Sequence, residues 1–500
     1  MGKTTFRSKR QNKRKNKKHK KTRKLIQTRK LIKKGGDITY LSEPGADNIF
    51  GLNQPTKNLI CSNDNTVCLA VGEESEQIKA FFDGFVKFNF ARKVIKRIGT
   101  PSVNGFVFEI KNETKGHIAY SVLKSSQETN SDNLMYEYNV GLYLNKVNKL
   151  YPCFVETYGL FTYKKEEYWT FFRDTKKIDD LHALQEALKQ LPLDYAVGCP
   201  KSKHLAILIQ HLPRPKTLDE LSDDSLFIKD ELLWALFQLY IPLARLMSNF
   251  THYDLHLGNI LMYEPIEGKY IEYHYHNTPT VNRSEKSTRK TQTAHEASMK
   301  LETIVFKSSY LLKIIDYGRS YFYEDEKNNA RAVYNRICKT AECDFETQDG
   351  IIKCGANYGL GWLENNSKNP EGTHFISSQK ANISHDLLPL ERLYQKFMDD
   401  RKKQGQLLPQ LFKDLFENLL SKVMYEAEFG TYQERKTGYP ESKIHNVQDA
   451  ATIIADFVTN PYYIAHNNRV NLGKTKLGEL HIFMDGSRPM EFIPFYGMEE

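Results

Sequence analysis

His252-Tyr-Asp-Leu-His-Leu-Gly-Asn-Ile-Leu261 is the stretch on which the reading of this chain turns. It sets a carboxylate, Asp254, five residues before an amide, Asn259, just after a long apolar stripe and just before the apolar run Ile260-Leu-Met262. A second stretch, Leu311-Leu-Lys-Ile-Ile-Asp-Tyr-Gly318, ends an apolar strand on another carboxylate, Asp316, two residues before a glycine. Apolar flanks of this kind pin a polar loop at the end of a strand.

The residue types suit phosphoryl transfer, which needs positioning and charge neutralisation more than covalent chemistry. Asp254 is placed to accept the proton of a substrate hydroxyl. Asn259 and Asp316 would share magnesium, which favours a few hard oxygen ligands and keeps several waters.

Upstream, Leu232, Leu236, Leu239, Leu243, Leu246 and Phe250 recur at steps of 4, 3, 4, 3 and 4. This periodicity predicts an amphipathic helix ending on Thr251-His252, with a kink or break at Pro242. Gly116–Lys124 alternates like a strand, and 133–147 reads as a helix containing Glu137. Lys124 is expected to hold the phosphates of ATP and Glu137 to orient it through an ion pair; Lys111 and Lys115 compete with the first, Glu128 with the second. Two apolar strands around Gly99-Thr-Pro-Ser-Val-Asn-Gly105-Phe-Val107 predict a hairpin over a nucleotide, with Gly105 and Val107 at its end. Thr100 and Ser102 stand where a glycine-rich loop would have its earlier glycines. Strands are predicted at Phe154–Phe161 and Leu205–Ile209, and Gln210-His-Leu-Pro213 reads as a hinge.

Between Asn259 and Asp316, strand-like Lys269–His276 and Glu302–Lys307 predict a β-hairpin with a polar, disordered tip over 277–300. Ser384-His-Asp-Leu-Leu388 opens a helical region, with more helix near 407–427 and 447–459 and short strands at 478–483 and 490–495. Gly2-Lys-Thr4 and Gly473-Lys-Thr475 echo a P-loop but lack its first glycine; Asn468 stands in that place for the second.

Apolar residues make up 40% of the 500, enough for a real core. Nothing approaches the ~18–20 consecutive apolar residues of a membrane span. The first residues show neither a myristoylation signal nor the apolar core of a signal peptide. Seven cysteines form an odd, sparse set that fits free thiols in a reducing compartment. Cys338, Cys343 and Cys354, spaced C-x4-C-x10-C, are either ligands of a structural metal or ordinary buried thiols.

Residues 1–34 carry 17 Lys/Arg and no acid, so the net charge of +10 less 17 leaves the remainder at −7. Such an arm repels itself and is expected to be disordered alone. It would attract nucleic acid or another polyanion, serve nuclear import, or act only as a solubilising tail.

Over about residues 90–400 the chain resembles the eukaryotic-type protein kinase superfamily. THYDLHLGNILMYEP at 251–265, the hairpin insertion, KIIDYGRSYF at 313–322 and the basic leader resemble more closely the serine/threonine kinases of nucleocytoplasmic large DNA viruses. The resemblance implies an α+β, bilobal protein-kinase-like fold. A β-rich N-lobe would span 78–212 and a mainly helical C-lobe 213–446, with an insertion at 264–310. A basic arm (1–36) and a leader (37–77) would precede them, and an extension (447–500) would follow. By the same resemblance Asp254 is the catalytic-loop aspartate, Asn259 and Asp316 the magnesium ligands, Lys124 the ATP lysine, and Asp386 the helix aspartate that braces the catalytic loop. ATP and Mg2+ would be the cofactors and a protein serine or threonine the acceptor. The setting would be host cytoplasm or nucleus, or the virion.

The departures matter as much. Tyr253 replaces the usual arginine that pairs with an activation-segment phosphate, which argues against that mode of control. Tyr317 replaces the usual Phe, and no APE motif is present. His256 replaces a lysine, and the form D-L-H-x-G-N is shared with aminoglycoside phosphotransferases and choline kinases. A small-molecule kinase is therefore the alternative, and a pseudokinase that only binds is a third reading. His252 is expected to pack and hydrogen-bond beneath the D-x-G turn. His256 either touches substrate phosphate or orients Asp254.

Overall fold

Alternating apolar positions between Ala91 and Gln210 build one antiparallel sheet. This is seen in a computed structural model that describes residues 79–85, 88, 91–98, 105–114, 117–126, 134–175, 182–191, 204–277, 303–337, 345–347, 350–352, 381–404, 410–424 and 443–494. The basic arm, the leader up to residue 78, the turn 99–104, the hairpin tip from 278 to 302 and the three clustered cysteines lie outside the described residues. The strands are β1 (Ala91–Ile98), β2 (Gly105–Thr114), β3 (His117–Ser126), β4 (Thr157–Tyr163), β5 (Leu188–Gln190) and β6 (Leu205–Gln210), in the order β1-β2-β3-β6-β4-β5. The predicted strand at Phe154 starts later, at Thr157; Phe154 makes only an isolated parallel bridge to Ile314.

Helix α1 (Leu134–Val147) packs on β4. Gly141 permits the approach, since a Cβ there would fall 2.1 Å from Thr157 Oγ1. Asn145 then locks the helix along its axis. Its amide donates to Thr157 O at 2.7 Å and accepts from Thr157 N at 2.9 Å. These two residues set where Glu137, two turns earlier, must lie.

After β7 (Lys216–Thr217) comes α2 (Leu232–Leu246). Leu232, Leu236, Leu239 and Leu243 of the stripe are buried as expected and Leu246 is half-buried, but Leu233, Trp234, Ala235, Phe237 and Gln238 are buried too. A helix buried on nearly every side is a central element, not an amphipathic cover. It runs through Pro242 and stops at Leu246, short of the predicted Thr251-His252. Phe250–Thr251 instead form β8, paired with β13 (Tyr321–Phe322) further along the chain. Non-local pairing outcompetes the helical period there.

The remaining strands are β9 (Ile260–Tyr263), β10 (Lys269–His276), β11 (Thr303–Ser308), β12 (Leu311–Ile314), β14 (Phe345–Thr347), β15 (Gly350–Ile352), β16 (Thr475–Phe483) and β17 (Glu491–Pro494). The later helices include α3 (Leu388–Gln404), α4 (Val447–Thr459) and α5 (Pro461–Val470). Strands β10 and β11 pair as an antiparallel hairpin. Its other edge is occupied by β16, in parallel, giving the sheet order β11-β10-β16-β17. Helix α4 packs against α2. Residues 447–494, which the sequence reading set apart as an extension, thus supply an inner strand and a core helix of the same body. Parallel pairing across some two hundred residues leaves no local trace in a sequence. Helix α5 was not anticipated, although Asn460 caps it by accepting from Tyr462 N at 2.9 Å and Pro461 starts it. Among the described residues no helix is long and apolar enough to cross a membrane.

Candidate active site

Two strand pairs force the diagnostic stretches together. At one end β8 pairs with β13; at the other β9 pairs with β12, with Ile260 opposite Ile314. The loops between them, 252–259 and 315–320, must therefore face each other. Ile315 N donates to Asn259 O at 3.0 Å across the gap.

His252 ties the two loops from beneath. Its Nε2 lies 2.9 Å from Ile315 O, so that nitrogen carries the proton, and its Nδ1 accepts from Asp254 N at 3.3 Å. Burial lowers its basicity and keeps the ring neutral, against the pull of Asp254 and Asp316. Asn259 Nδ2 donates to Asp254 O at 2.9 Å, which leaves the amide oxygen as its free ligand atom. Asp386 accepts from His252 N at 2.8 Å through one oxygen and from Tyr253 N at 3.2 Å through the other. Burial nonetheless pushes its carboxyl up to about 7, with the two N–H donors pulling the other way. His256 caps the short turn Leu257–Asn259, accepting from Gly258 N at 3.1 Å through its ring.

Lys124 meets Glu137, the partner expected of it, and also Asp316, which was expected only as a magnesium ligand. Its Nζ lies 2.8 and 2.7 Å from the two oxygens of Glu137 and 2.8 Å from Asp316 Oδ1. Burial opposes the charge on Lys124, but Asp316 and Glu137 override it and hold its ammonium well above the ordinary lysine range. Burial likewise opposes the charge on Asp316, and Lys124 overrides it, so that carboxyl sits below the usual range. With Oδ1 engaged by lysine, Oδ2 of Asp316 remains for a cation.

Two non-glycine residues here adopt positive φ: Tyr253 at 61° and Asp316 at 69°. Such backbone costs on the order of 1–3 kcal/mol per residue and persists where the surroundings over-determine it. Asp386 holds the first and Lys124 the second. Tyr253 is wholly buried, its ring 4.9 Å from that of His385. Tyr317 is also buried, and its hydroxyl accepts from Val155 N at 2.7 Å and lies 2.7 Å from Ile314 O.

Lys124, Glu137 and Asp316 open onto a cleft of about 810 Å³. Val107, Val122, Ile209, Leu261 and Ile315 give it apolar walls, and 210–215 form one rim. Val107 thus lines the cleft, while Gly105 does not; a Cβ on Gly105 would fall 2.6 Å from Ser125 O, so it serves close strand pairing. Three polar features escaped the sequence reading. Glu109 Oε2 and His211 Nε2, both on the cleft, are 3.0 Å apart, and His211 Nδ1 is buried without a hydrogen-bond partner. Arg319 Nε stands 3.9 Å from Asp254 Oδ2. Alternation on β2 alone could have placed Glu109 on the face of Val107, two residues away; nothing local marked His211.

No family model matches the chain, and no curated protein matches it. Among solved structures it is similar to WaaP in complex with acyl carrier protein, at 11% identity and a TM-score of 0.22, covering 54% of this chain and 77% of that one. It is also similar to a MAP kinase, LmaMPK10 from Leishmania major, at 14% identity and a TM-score of 0.19, covering 38% and 47%. Likeness at this level gives no support to any residue's role.

Proposed function

We propose that this chain is a protein-kinase-like phosphotransferase that moves the terminal phosphoryl group of ATP to a hydroxyl, with magnesium as cofactor and a serine or threonine of a protein as acceptor. The observation that carries the reading is Lys124 bridging Glu137 and Asp316 at the floor of an apolar cleft. A buried cation next to a cleft and beside a spare carboxylate oxygen is the arrangement that charge neutralisation of a polyphosphate requires.

Separate features of the cleft support a nucleotide as its occupant. Its apolar walls suit a base. His211 Nε2 hydrogen-bonds Glu109, and on a neutral ring that leaves Nδ1 as a buried acceptor with no donor. Buried polar atoms are rarely left so, and an amino group on a purine is a donor of the right kind. Asn259, through its amide oxygen, and Asp316, through Oδ2, would hold magnesium, which supplies charge neutralisation between the phosphates. Lys124 would steady the phosphate oxygens and Asp254 accept the hydroxyl proton, with Arg319 beside it to fix its carboxylate. Asp386 and His252 hold the loop that carries Asp254.

A small-molecule acceptor is the second reading. Burial of Tyr253 removes the site at which an arginine would meet an activation-segment phosphate. The full chain, incubated with magnesium, labelled ATP and either a generic protein or small alcohols and aminoglycosides, separates the two. Transfer to protein supports the first reading and transfer only to small molecules the second. In either case Asp254→Asn should bind nucleotide normally and lose ~10²–10⁴-fold in rate. Undiminished transfer by that variant would sink the assignment.

A further inference from the structure

The parallel register of β10 and β16 sets Glu272 beside Glu479, His274 beside His481 and His276 beside Phe483. Tyr273 and Tyr275, the alternate residues of β10, are buried in the core, so the histidines and glutamates share the opposite face. The rings stack there: His274 on His481 with centroids 4.6 Å apart, and His276 on His481 at 5.1 Å. One donor atom from each of His274, Glu479 and His481 lies within 4.8 Å of the other two. None of the three lines the cleft.

We propose that this face is a binding site for a divalent transition-metal ion of the zinc class, held by His274 Nε2, His481 Nε2 and Glu479 Oε2, with water completing the shell. Imidazole nitrogens with one carboxylate suit zinc, cobalt or nickel rather than magnesium or calcium, and no thiolate is present to favour softer ions. Zinc bonds of ~2.0–2.1 Å in a tetrahedron place donor atoms about 3.3 Å apart. Glu479 Oε2 is 3.3 Å from His481 Nε2 and 3.8 Å from His274 Nε2, so the donors stand near the required spacing, and the stacked rings of His274 and His481 must open from one another to aim both nitrogens at the ion. Lys476 occupies the other oxygen of Glu479 at 2.6 Å and Glu272 Oε1 at 2.8 Å. It therefore orients Glu479 without blocking Oε2.

Without metal, His274 Nε2 lies 3.0 Å from Glu272 Oε1; to bind the ion His274 gives up that contact and carries its proton on Nδ1, while Lys476 keeps Glu272 Oε1 paired. The remaining hydrogen bonds accommodate the ion by moving protons alone. Thr303 Oγ1 lies 3.3 Å from His276 Nδ1, and His276 Nε2 lies 2.9 Å from His481 Nδ1. Without metal, protons run along this chain toward Glu479, and His481 Nε2 donates to it. With metal, the chain reverses: His481 Nδ1–H donates to His276 Nε2, His276 Nδ1–H donates to Thr303, and His481 Nε2 is bared. His276 is then the outer partner that fixes the tautomer of a ligand, a role whose loss typically weakens metal binding ~10–100-fold. The bound ion would clasp β16 to β10 of the hairpin.

The test uses the full chain, freed of metal by a chelator and titrated with zinc chloride and with cobalt chloride. One equivalent should bind, cobalt should develop visible absorption of a four- or five-coordinate ion, and the melting temperature should rise with zinc. His481→Gln and Glu479→Gln, which keep size and hydrogen-bonding capacity, should each abolish the cobalt spectrum while retaining the native circular dichroism. His276→Ala should keep the spectrum with affinity lowered ~10–100-fold. No saturable equivalent, or an equivalent indifferent to His481→Gln and Glu479→Gln, would overturn the proposal. The second outcome would move the metal elsewhere, to the cysteines for instance. Because these residues lie away from the cleft, magnesium-dependent phosphotransfer should be unchanged in His481→Gln, so failure of this site and failure of the kinase reading are told apart.

Discussion

Replacing Lys124 by methionine removes one cation from between two carboxylates while keeping the length of the side chain. At the observed separations of 2.7–2.8 Å each ion pair has a gross attraction of about 6 kcal/mol at an effective dielectric of 20. Desolvation of the three charges offsets most of that. What the variant exposes is the uncompensated charge left behind, and removing one partner of a buried pair costs about 3–5 kcal/mol. Glu137, only 3% exposed, bears the larger share. The side chain of Asp316 is 27% exposed toward the cleft, so water can take over part of its solvation and the lower end, about 3 kcal/mol, is expected.

The pH dependence follows from the same charges. In the native protein Asp316 is held below its ordinary value, so its contribution is present above about pH 4 and lost as pH falls through the lower folded value. Without Lys124 the cation that favours the ionised form of both carboxylates is gone, so protonating them costs the variant less than it costs the native protein, and the variant loses less stability as pH falls. The difference in urea midpoint between native and Lys124→Met should therefore be widest near pH 8 and shrink by pH 5. Adding Glu137→Gln should restore part of the loss at pH 8 and flatten the trend. A constant difference across that range, or one below about 1 kcal/mol at pH 8, would show that the cluster behaves as a solvated surface pair and refute the reasoning.

Three further outcomes are expected. Asp386→Ala leaves the amides of His252 and Tyr253 without acceptors, at roughly 1–3 kcal/mol each, and should slow phosphotransfer by misplacing Asp254. Because Asp386 titrates near 7 when folded, native stability should fall as pH rises from about 4 toward 7, and the gap to the variant in urea midpoints should narrow over that window. His211→Leu should weaken ATP binding by about tenfold, the loss of one net hydrogen bond, with turnover at saturation preserved; an unchanged dissociation constant in a fluorescence titration would count against His211 as a base contact. Deleting residues 1–34 should remove salt-dependent binding to a polyanion such as heparin while leaving phosphotransfer intact, and if both fall together the arm is not a separate module.

The candidate residues Lys124, Glu137, Asp254, Asn259 and Asp316 were legible in the sequence because their identities sit at fixed offsets from apolar strands and helices, and such offsets survive in one dimension; Asp386 was marked only through the family resemblance. The sequence also marked β10 and β11 through period-two alternation, and most of α2 through its leucines. Only the folded chain revealed why those side chains converge. Strand pairs β8–β13 and β9–β12 bracket the two loops, and Gly141 and Asn145 set the depth of Glu137. The Glu109–His211 pair and the histidine ladder across β10 and β16 likewise come from strands far apart in the chain. Registers of that kind depend on which distant backbone fills an open edge, a competition decided by packing of the whole core and written in no local pattern.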